Sequence, residues 1–486
     1  MKLSIIIIIV LTWLVSFPIL AKGKQPNFLI FISDDLTFRD IGVYGNPDVK
    51  TPNLDAFAKQ GLKFNQAFSS SAMCAPTRME LYSGLQPVRS GAHPNHGAAY
   101  EGTRSLPNYL RPLGYRVALM GKRHEAPHAS FSFEYLGGKH GDTKQSQIDL
   151  NLKLAERFFK ETDQPWALIV ATNQPHTPWF RGDKSAYLPE SLTVPDYLVD
   201  TIETRRALSA YYAEITYMDQ QFGTIMNMLE ESGEANNTLA IYLSEQGSNF
   251  PFAKWTLYDN GHRAAALMRW PNNINREQET EAIIQYADIV PTLIEAAGGD
   301  TTNIPLDGKS LLGVISNPAK THRQYAYAVQ TTKGIYSGSD SYPIRTIRSN
   351  TYRLVWNLNH QQAFSNTVVK QGGPSGTLNS WLKKDELALA RANAYSQRPE
   401  FELYDVKQDP YELTNLAGKK ELSHIQEKLF NELKAWMAQQ GDKGVMTEAD
   451  AVNRKNPSGR HYPKGIPEGG LALDWDYKNE GHFDEK

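Results

Sequence analysis

A single cysteine, Cys74, among 486 residues leaves no partner for an intrachain disulfide and too little sulfur for a Cys-rich zinc site. An excess of positive charge is missing as well. Lys+Arg 51 against Asp+Glu 53 gives a formal charge of -2, which argues against nucleic-acid binding driven by net charge. No internal repeat and no long low-complexity tract is visible. With 41% hydrophobic and 21% charged residues the composition is near the globular norm, which excludes an intrinsically disordered chain. The length suits about two or three average domains, or fewer if they are large α/β domains.

The chain opens with Lys2, a nearly unbroken apolar run from Ile5 to Leu20, the small Ala21, and then polar Lys22, Gly23 and Lys24. That order predicts a signal peptide over residues 1–21, cleaved near Ala21, and an exported (periplasmic or secreted) protein with no stable membrane insertion afterwards. An uncleaved anchor is the alternative, because about 17 residues is the lower limit for a membrane-spanning helix. Export sharpens the meaning of Cys74. Exported thiols are paired or avoided, so an unpaired one has either a chemical role or the bland one of a buried, inert core residue.

Beyond the leader, buried-strand runs alternate with helical patterns. Asn27 to Ser33, Tyr115 to Met120, Trp166 to Thr172 and Thr238 to Leu243 are short apolar runs of the kind covered on both faces. Thr51-Pro52 reads as a helix start closed by Gly61, and apolar residues from Leu208 to Leu229 recur every three or four positions, predicting a long helix over Glu203 to Glu231. The pattern predicts an α/β fold: a large central, mostly parallel sheet flanked by helices over residues 22–320. A smaller C-terminal α+β subdomain is expected over residues 321–486, with strands at Tyr352 to Leu358 and Phe401 to Val406 and a surface-wrapping tail from about Asn453.

Each of the four long buried runs is followed by a polar cluster: Asp34-Asp35, Gly121-Lys122-Arg123-His124, Asn173-Gln174-Pro175-His176 and Ser244-Glu245-Gln246-Gly247. Ligands of open α/β sheets bind at the carboxyl ends of strands, so these clusters are expected to meet in one crevice. Asp34, Asp35, Glu245 and Gln246 supply hard oxygen donors suited to Ca2+ or Mg2+. Lys122, Lys254, His124 and His176 beside such an ion suit an oxyanion ester, a phosphate or a sulfate. Pro76 favours a helix start, which would place Cys74 at a helix N-terminus where a thiol is activated, with Arg78 one turn on.

Cys74-Ala-Pro-Thr-Arg78, followed by Leu81 and Ser83-Gly84, resembles the signature of the formylglycine-dependent (type I) sulfatases of the alkaline phosphatase-like superfamily. Asp34-Asp35 resembles that family's first metal pair, Gly121 to His124 its Gly-Lys-Trp-His block, and Pro175-His176-Thr177-Pro178 its Pro-His-x-Pro segment. The stretch Lys254 to Pro271 resembles the block with the second sulfate-binding lysine, and Phe401 to Ala417 the C-terminal strand and turn. Thr77 departs mildly from the usual Ser or Ala. Glu245-Gln246 departs more, standing where the family has Asp followed by Asn or His, each side chain one methylene longer.

The resemblance implies that Cys74 is converted to formylglycine by a formylglycine-generating enzyme, and that Asp34, Asp35, Cys74, Glu245 and Gln246 surround one Ca2+. It implies that the hydrated residue attacks sulfur, with Arg78 and Lys122 holding it, His176 and Lys254 serving the leaving oxygen and the sulfate, and His124 taking a proton as sulfate departs. A sulfated oligo- or polysaccharide is the expected substrate, as in exported bacterial polysaccharide sulfatases, with an inclination to algal ulvan. His93, His96, His262, Arg263 and Arg89 are candidate sugar contacts, and Trp179, Trp255 and Tyr258 candidate stacking rings or plain packing. The competing readings are a phosphoester or phosphonate hydrolase of the same superfamily, and a sulfated-glycan binding protein whose Cys74 is never converted.

Overall fold

The computed structural model describes residues 24–138, 149–370 and 376–454. The leader with Ala21 and the tail beyond residue 454 lie outside them. Among the described residues no helix is long and apolar enough to cross a membrane.

The large sheet has eight strands: β1 (Asn27–Ser33), β2 (Leu62–Phe68), β3 (Arg116–Gly121), β4 (Glu134–Gly137), β5 (Trp166–Ala171), β6 (Thr238–Ser244), β7 (Arg263–Arg269) and β8 (Gln278–Gln285). They lie in the order β4-β3-β5-β1-β6-β7-β2-β8. All neighbouring pairs are parallel except those made by β7, which runs antiparallel to β6 and β2. The sheet is thus mostly parallel, as the alternating pattern predicts.

The continuous apolar runs follow from burial on both faces. On β1, Phe28, Ile30 and Ile32 pack with Met79, Leu81 and Tyr82 of the Cys74–Ser83 helix and with Ile289, Val290 and Leu293 of the Ile289–Ala296 helix. The alternate residues Leu29 and Phe31 pack on the opposite face with Leu208, Ile215, Met218 and Phe222 of the Ile202–Glu231 helix. The expected helix start at Thr51 is present, with Pro52–Ala58 helical, but the Thr51 hydroxyl does not cap it. Asp219 of the long helix does so instead, accepting from the backbone amides of Asn53 at 3.1 Å and Leu54 at 2.8 Å.

A second sheet, antiparallel, has the order β12-β11-β10-β9, formed by β9 (Ala326–Gln330), β10 (Ile344–Arg348), β11 (Tyr352–Asn357) and β12 (Phe401–Asp405). One face, with Val329, Ile347, Leu354 and Leu403, packs against Leu429, Leu433 and Trp436 of the Ser423–Gln440 helix. The other face, with Ala328, Ile344, Val355 and Tyr404, joins the core that also holds Phe252 and Tyr258 from the segment between β6 and β7. Buried ion pairs cross the seam: Arg348 to Asp259 at 3.2 Å, and Arg353 to Asp259 and to Glu412.

Candidate active site

β3, β5, β1 and β6 are adjacent and parallel, so their carboxyl ends share one edge. Backbone bonds continue the pairing past the strands: Lys122 N to Ala171 O at 2.8 Å, Thr172 N to Ile32 O at 3.0 Å, Asp34 N to Gln174 O at 3.0 Å and Glu245 N to Ser33 O at 2.9 Å. The four polar clusters are therefore tied to one another by main chain before any side-chain contact is made.

Cys74 enters from a different element. It is the first residue of the Cys74–Ser83 helix, whose residues are all buried and which ends at Gly84 in the left-handed conformation (φ 72°). Ligand atoms of Asp34, Asp35, Cys74 and Glu245 all lie within 4.8 Å of one another. The Gln246 amide nitrogen donates to Asp35 Oδ1 at 2.5 Å and lies 3.3 Å from the Cys74 sulfur. Lys122 Nζ pairs with Asp34 at 2.5 Å and Lys254 Nζ with Asp35 at 2.7 Å. Arg78 reaches Glu245 through its Nε and the Lys122 carbonyl through Nη1 at 3.2 Å, rather than turning to the thiol. His176 donates Nδ1–H to Thr177 O at 2.5 Å, leaving Nε2 to face Asp35 at 3.5 Å.

Burial sets the electrostatics. Glu245 is pushed up to about 8 by desolvation, assisted by the charge of Asp34 and opposed by Arg78. Asp34 is held well below the usual carboxylate range, because Lys122 and further cations outweigh the desolvation that alone would raise it. Desolvation, reinforced by Glu245, pushes the Cys74 thiol up. Burial thus works against the activation expected of a thiol at a helix N-terminus. The dipole contributes only a partial charge, set against full burial and the charges of Glu245 and Asp34, with Lys122 and Lys254 acting the other way.

The donor set fits a hard divalent cation. Asp34, Asp35, Glu245 and Gln246 offer carboxylate and amide oxygens, and both Glu245 Oε2 and Gln246 Oε1 are buried without a hydrogen-bond donor. The longer Glu245 side chain still reaches the cluster, whereas Gln246 presents its amide nitrogen to Asp35 and Cys74, so its oxygen would face an ion only with the amide turned over.

Most of the candidate sugar contacts are engaged with other partners. His262 is buried between Ser69 O at 3.0 Å and Arg353, and burial followed by the Arg353 charge brings it down to about 3. Arg263 begins β7 at the same sheet edge, but its guanidinium is taken up by Asn65 O at 3.0 Å and Asp259 at 3.2 Å. Arg89 pairs with Asp307 at 2.6 Å, and His93 is buried and lowered to about 4, chiefly by desolvation. Tyr258 donates to Glu402 at 2.7 Å, and Trp179 stacks on Phe250 with ring centroids 5.3 Å apart. Trp255 lies beside the centre, its ring 4.7 Å from Lys254 Nζ. His96 packs on His124 with facing nitrogens 2.6 Å apart.

Two further groups, not marked by any sequence motif, support the site. Glu125 accepts from the His124 amide at 2.9 Å and from Arg123 Nε at 2.7 Å, fixing the loop that carries His124. Asn249 donates to Thr177 Oγ1 at 3.3 Å, beside His176. Their position next to named site residues was the available signal, but loop polarity alone says little about direction.

The mostly parallel eight-stranded sheet, with a buried carboxylate–lysine centre at its edge, is of the alkaline phosphatase-like α/β fold. Residues 26–299 match the Sulfatase family model, and residues 247–379 match the model described as N-sulphoglucosamine sulphohydrolase, C-terminal. The chain belongs to the sulfatase family, enzymes that hydrolyse sulfuric esters. It is 28% identical over 464 residues to an ulvan-active sulfatase of Formosa agariphila, covering 90% of this chain and 89% of that one. It is also 28% identical over 483 residues to human N-sulphoglucosamine sulphohydrolase, covering 90% and 94%. Among solved structures, a complex with the substrate D-glucosamine-2-N,6-O-disulfate has a TM-score of 0.66 at 19% identity, covering 86% of this chain and 99% of that one. The phosphonate monoester hydrolase of Agrobacterium radiobacter shares the fold with a TM-score of 0.68 at 19% identity, covering 86% and 96%.

Proposed function

We propose that this exported protein removes sulfate from a sulfated glycan, using formylglycine derived from Cys74 and one Ca2+ held by Asp34, Asp35, Glu245 and Gln246. The observation that carries the reading is the convergence of three carboxylates and Cys74 within 4.8 Å, flanked by two buried lysines. A thiol pushed up by burial is a poor nucleophile at neutral pH, which favours a converted residue. Lys122, Lys254 and Arg78 already match the three carboxylates, so a divalent cation leaves positive charge over for an anionic ester. Among the described residues this is the one cluster of three or more metal-ligating groups, whereas a two-metal phosphatase needs more ligands.

The ion and the hydrated aldehyde, once in place, supply Lewis acidity and an oxygen nucleophile whose second hydroxyl allows sulfate to leave by elimination. Lys122 and Lys254 hold the sulfate oxygens and offset charge that develops on them. His176, its Nδ1–H fixed on Thr177 O, presents Nε2 and protonates the leaving alcohol oxygen. His124 accepts the proton that is released as sulfate departs. Arg78 holds the Glu245 carboxylate in the ligand set. Because Cys74 is 2% exposed on a buried helix, its conversion by a formylglycine-generating enzyme belongs before folding.

The names of the relatives point to two sulfated glycans. Three Formosa agariphila relatives are called ulvan-active sulfatases, which supports an algal ulvan-type substrate. The match of residues 247–379 to an N-sulphoglucosamine sulphohydrolase model supports N-sulfated glucosamine as the second reading. The test is sulfate release from both oligosaccharide classes by protein co-expressed with a formylglycine-generating enzyme, beside a Cys74→Ser control. Release from ulvan fragments by the wild type alone supports the first reading, and release only from N-sulfated glucosamine supports the second. No release from either, with residue 74 verified as converted by peptide mass, overturns the glycan proposal in favour of phosphate or phosphonate esters.

A further inference from the structure

His124 is 1% exposed, and its Nε2 lies 2.6 Å from Nδ1 of His96, with ring centroids 4.4 Å apart. Two neutral imidazoles at this separation share one hydrogen: one facing nitrogen carries it and the other offers a lone pair. From this contact we propose that His96 is a positioning residue for His124, accepting its Nε2–H and so keeping the lone pair on Nδ1, the nitrogen that takes the proton. The proposal rests on the sulfatase reading above for the role of His124, and it reassigns His96 from sugar contact to orienting partner.

Both members of the pair are held firmly. His96 adopts a left-handed conformation (φ 52°) in a tight turn closed by Gly97 N to Pro94 O at 3.2 Å. A Cβ at position 97 would come within 2.5 Å of Pro94 Cγ and 2.9 Å of Pro94 O, so the turn demands glycine there. The turn is pinned from the C-terminal half of the chain by Asn95 N to Lys333 O at 3.2 Å and Ala98 N to Arg454 O at 2.8 Å. On the other side, Glu125 fixes the His124 amide. A backbone conformation of this kind, over-determined from several elements, is what orients a catalytic base through a third group.

In the proton step itself, the Nδ1 lone pair of His124 forms an N–H bond as the donor O–H bond breaks. The resulting imidazolium keeps its Nε2–H on the neutral His96 Nδ1, which lowers the cost of the charge in a buried position. No electrons are transferred and no further reactant is needed.

The test compares His96→Ala with His96→Asn, whose side-chain oxygen can stand close to where Nδ1 stands and whose backbone tolerates positive φ. Using matured protein and an aryl sulfate with a good leaving group, His96→Ala should lower kcat about 10- to 100-fold with KM within about twofold, and His96→Asn should recover most of the loss. A rise in KM with kcat unchanged, or failure of both variants alike at unaltered melting temperature, overturns the proposal. Nitrogen-15 NMR of histidine-labelled, unconverted protein gives a readout independent of turnover. The His124 ring should be protonated at Nε2 in the wild type and mixed in His96→Ala, whereas an Nδ1–H tautomer in the wild type overturns the proposal. If the wild type hydrolyses no sulfate ester, the sulfatase reading fails, and the tautomer measurement still decides the pairing of the two histidines.

Discussion

Lys254 Nζ lies 2.7 Å from the carboxylate of Asp35, with both side chains nearly sealed from water. Asp35 holds its position through a left-handed backbone (φ 57°), and Lys254 is anchored by Lys254 N to Ser248 O at 3.0 Å. Burial alone would lower the lysine, but Asp35 raises it, so it stays charged throughout the working pH range. Under the proposed mechanism, Lys254→Ala removes a fixed cation from beside the sulfate oxygens. The expected loss is about 100- to 1,000-fold in kcat/KM for sulfate release, by analogy with deleting one preorganised donor. Loss of less than threefold, in protein with full formylglycine content, would mean that Lys254 does not touch the ester.

Binding of Ca2+ should be visible without turnover. The cluster of Asp34, Asp35 and Glu245 carries a carboxyl at 245 raised to about 8, so a cation relieves repulsion and releases a proton near neutral pH. Calcium at about 100 times its Kd should stabilise the fold by about 2.7 kcal/mol, read as a rise in melting temperature. Glu245→Ala should melt at the same temperature with and without calcium. A calcium response that survives this substitution would place the ion elsewhere.

Asp40 gives a pH dependence away from the centre. Burial pushes its carboxyl up to about 7, with Tyr211, Arg39 and Asn46 opposing only in part. An unfolded aspartate ionises near pH 3.9, so between about pH 4 and 7 the folded state keeps a proton that the unfolded state gives up. Stability from this group therefore falls as pH rises through that window and stays low above it. Asp40→Asn should remove the slope and be more stable than wild type at pH 8, by on the order of a few kcal/mol. Denaturant melts at pH 5 and pH 8 check this. An unchanged difference between the two pH values would show that Asp40 does not hold its proton.

Much of the site was readable because it follows strand ends. The β1 run ends at Ser33 and Asp34-Asp35 comes next, and the same rule places Lys122 and Glu245. Period and length suffice to find such strands, and parallel pairing then fixes where their ends meet. The antiparallel β7 was not legible, because Arg263–Arg269 reads as an ordinary apolar run and direction is set by distant pairing. Side-chain direction was equally hidden. Arg263 and His262 look like free cations in the sequence, but Asp259 and Arg353, the latter more than 80 positions on, determine what they face. In the sequence His96 stands out only as a polar residue following the Cys74 helix. Its contact with His124 depends on a turn closed by Gly97 and pinned by residues from the far end of the chain.

The seam between the two sheets should unfold with the rest. Asp259 receives Arg263 at 3.2 Å, Arg348 at 3.2 Å and Arg353, while its own amide donates to Glu412 at 2.6 Å. Those guanidiniums hold the Asp259 carboxyl well below the usual range, outweighing a desolvation that acts the other way. A depressed carboxyl stabilises the fold above the unfolded value near pH 3.9, and that contribution is lost as the pH falls below it. Asp259→Ala leaves buried guanidiniums short of a counter-charge, which costs about 3–5 kcal/mol when one partner of a buried pair is removed. Because Ala328, Val355 and Tyr404 of the small sheet share a core with residues of the large sheet, the loss should appear as a lower melting temperature for one cooperative transition. Far-UV circular dichroism and intrinsic fluorescence should therefore report the same midpoint in wild type and variant. Two separated transitions in the variant would show that the shared core alone does not couple the smaller sheet to the larger one, and an unchanged melting temperature would show that Asp259 does not stabilise the seam.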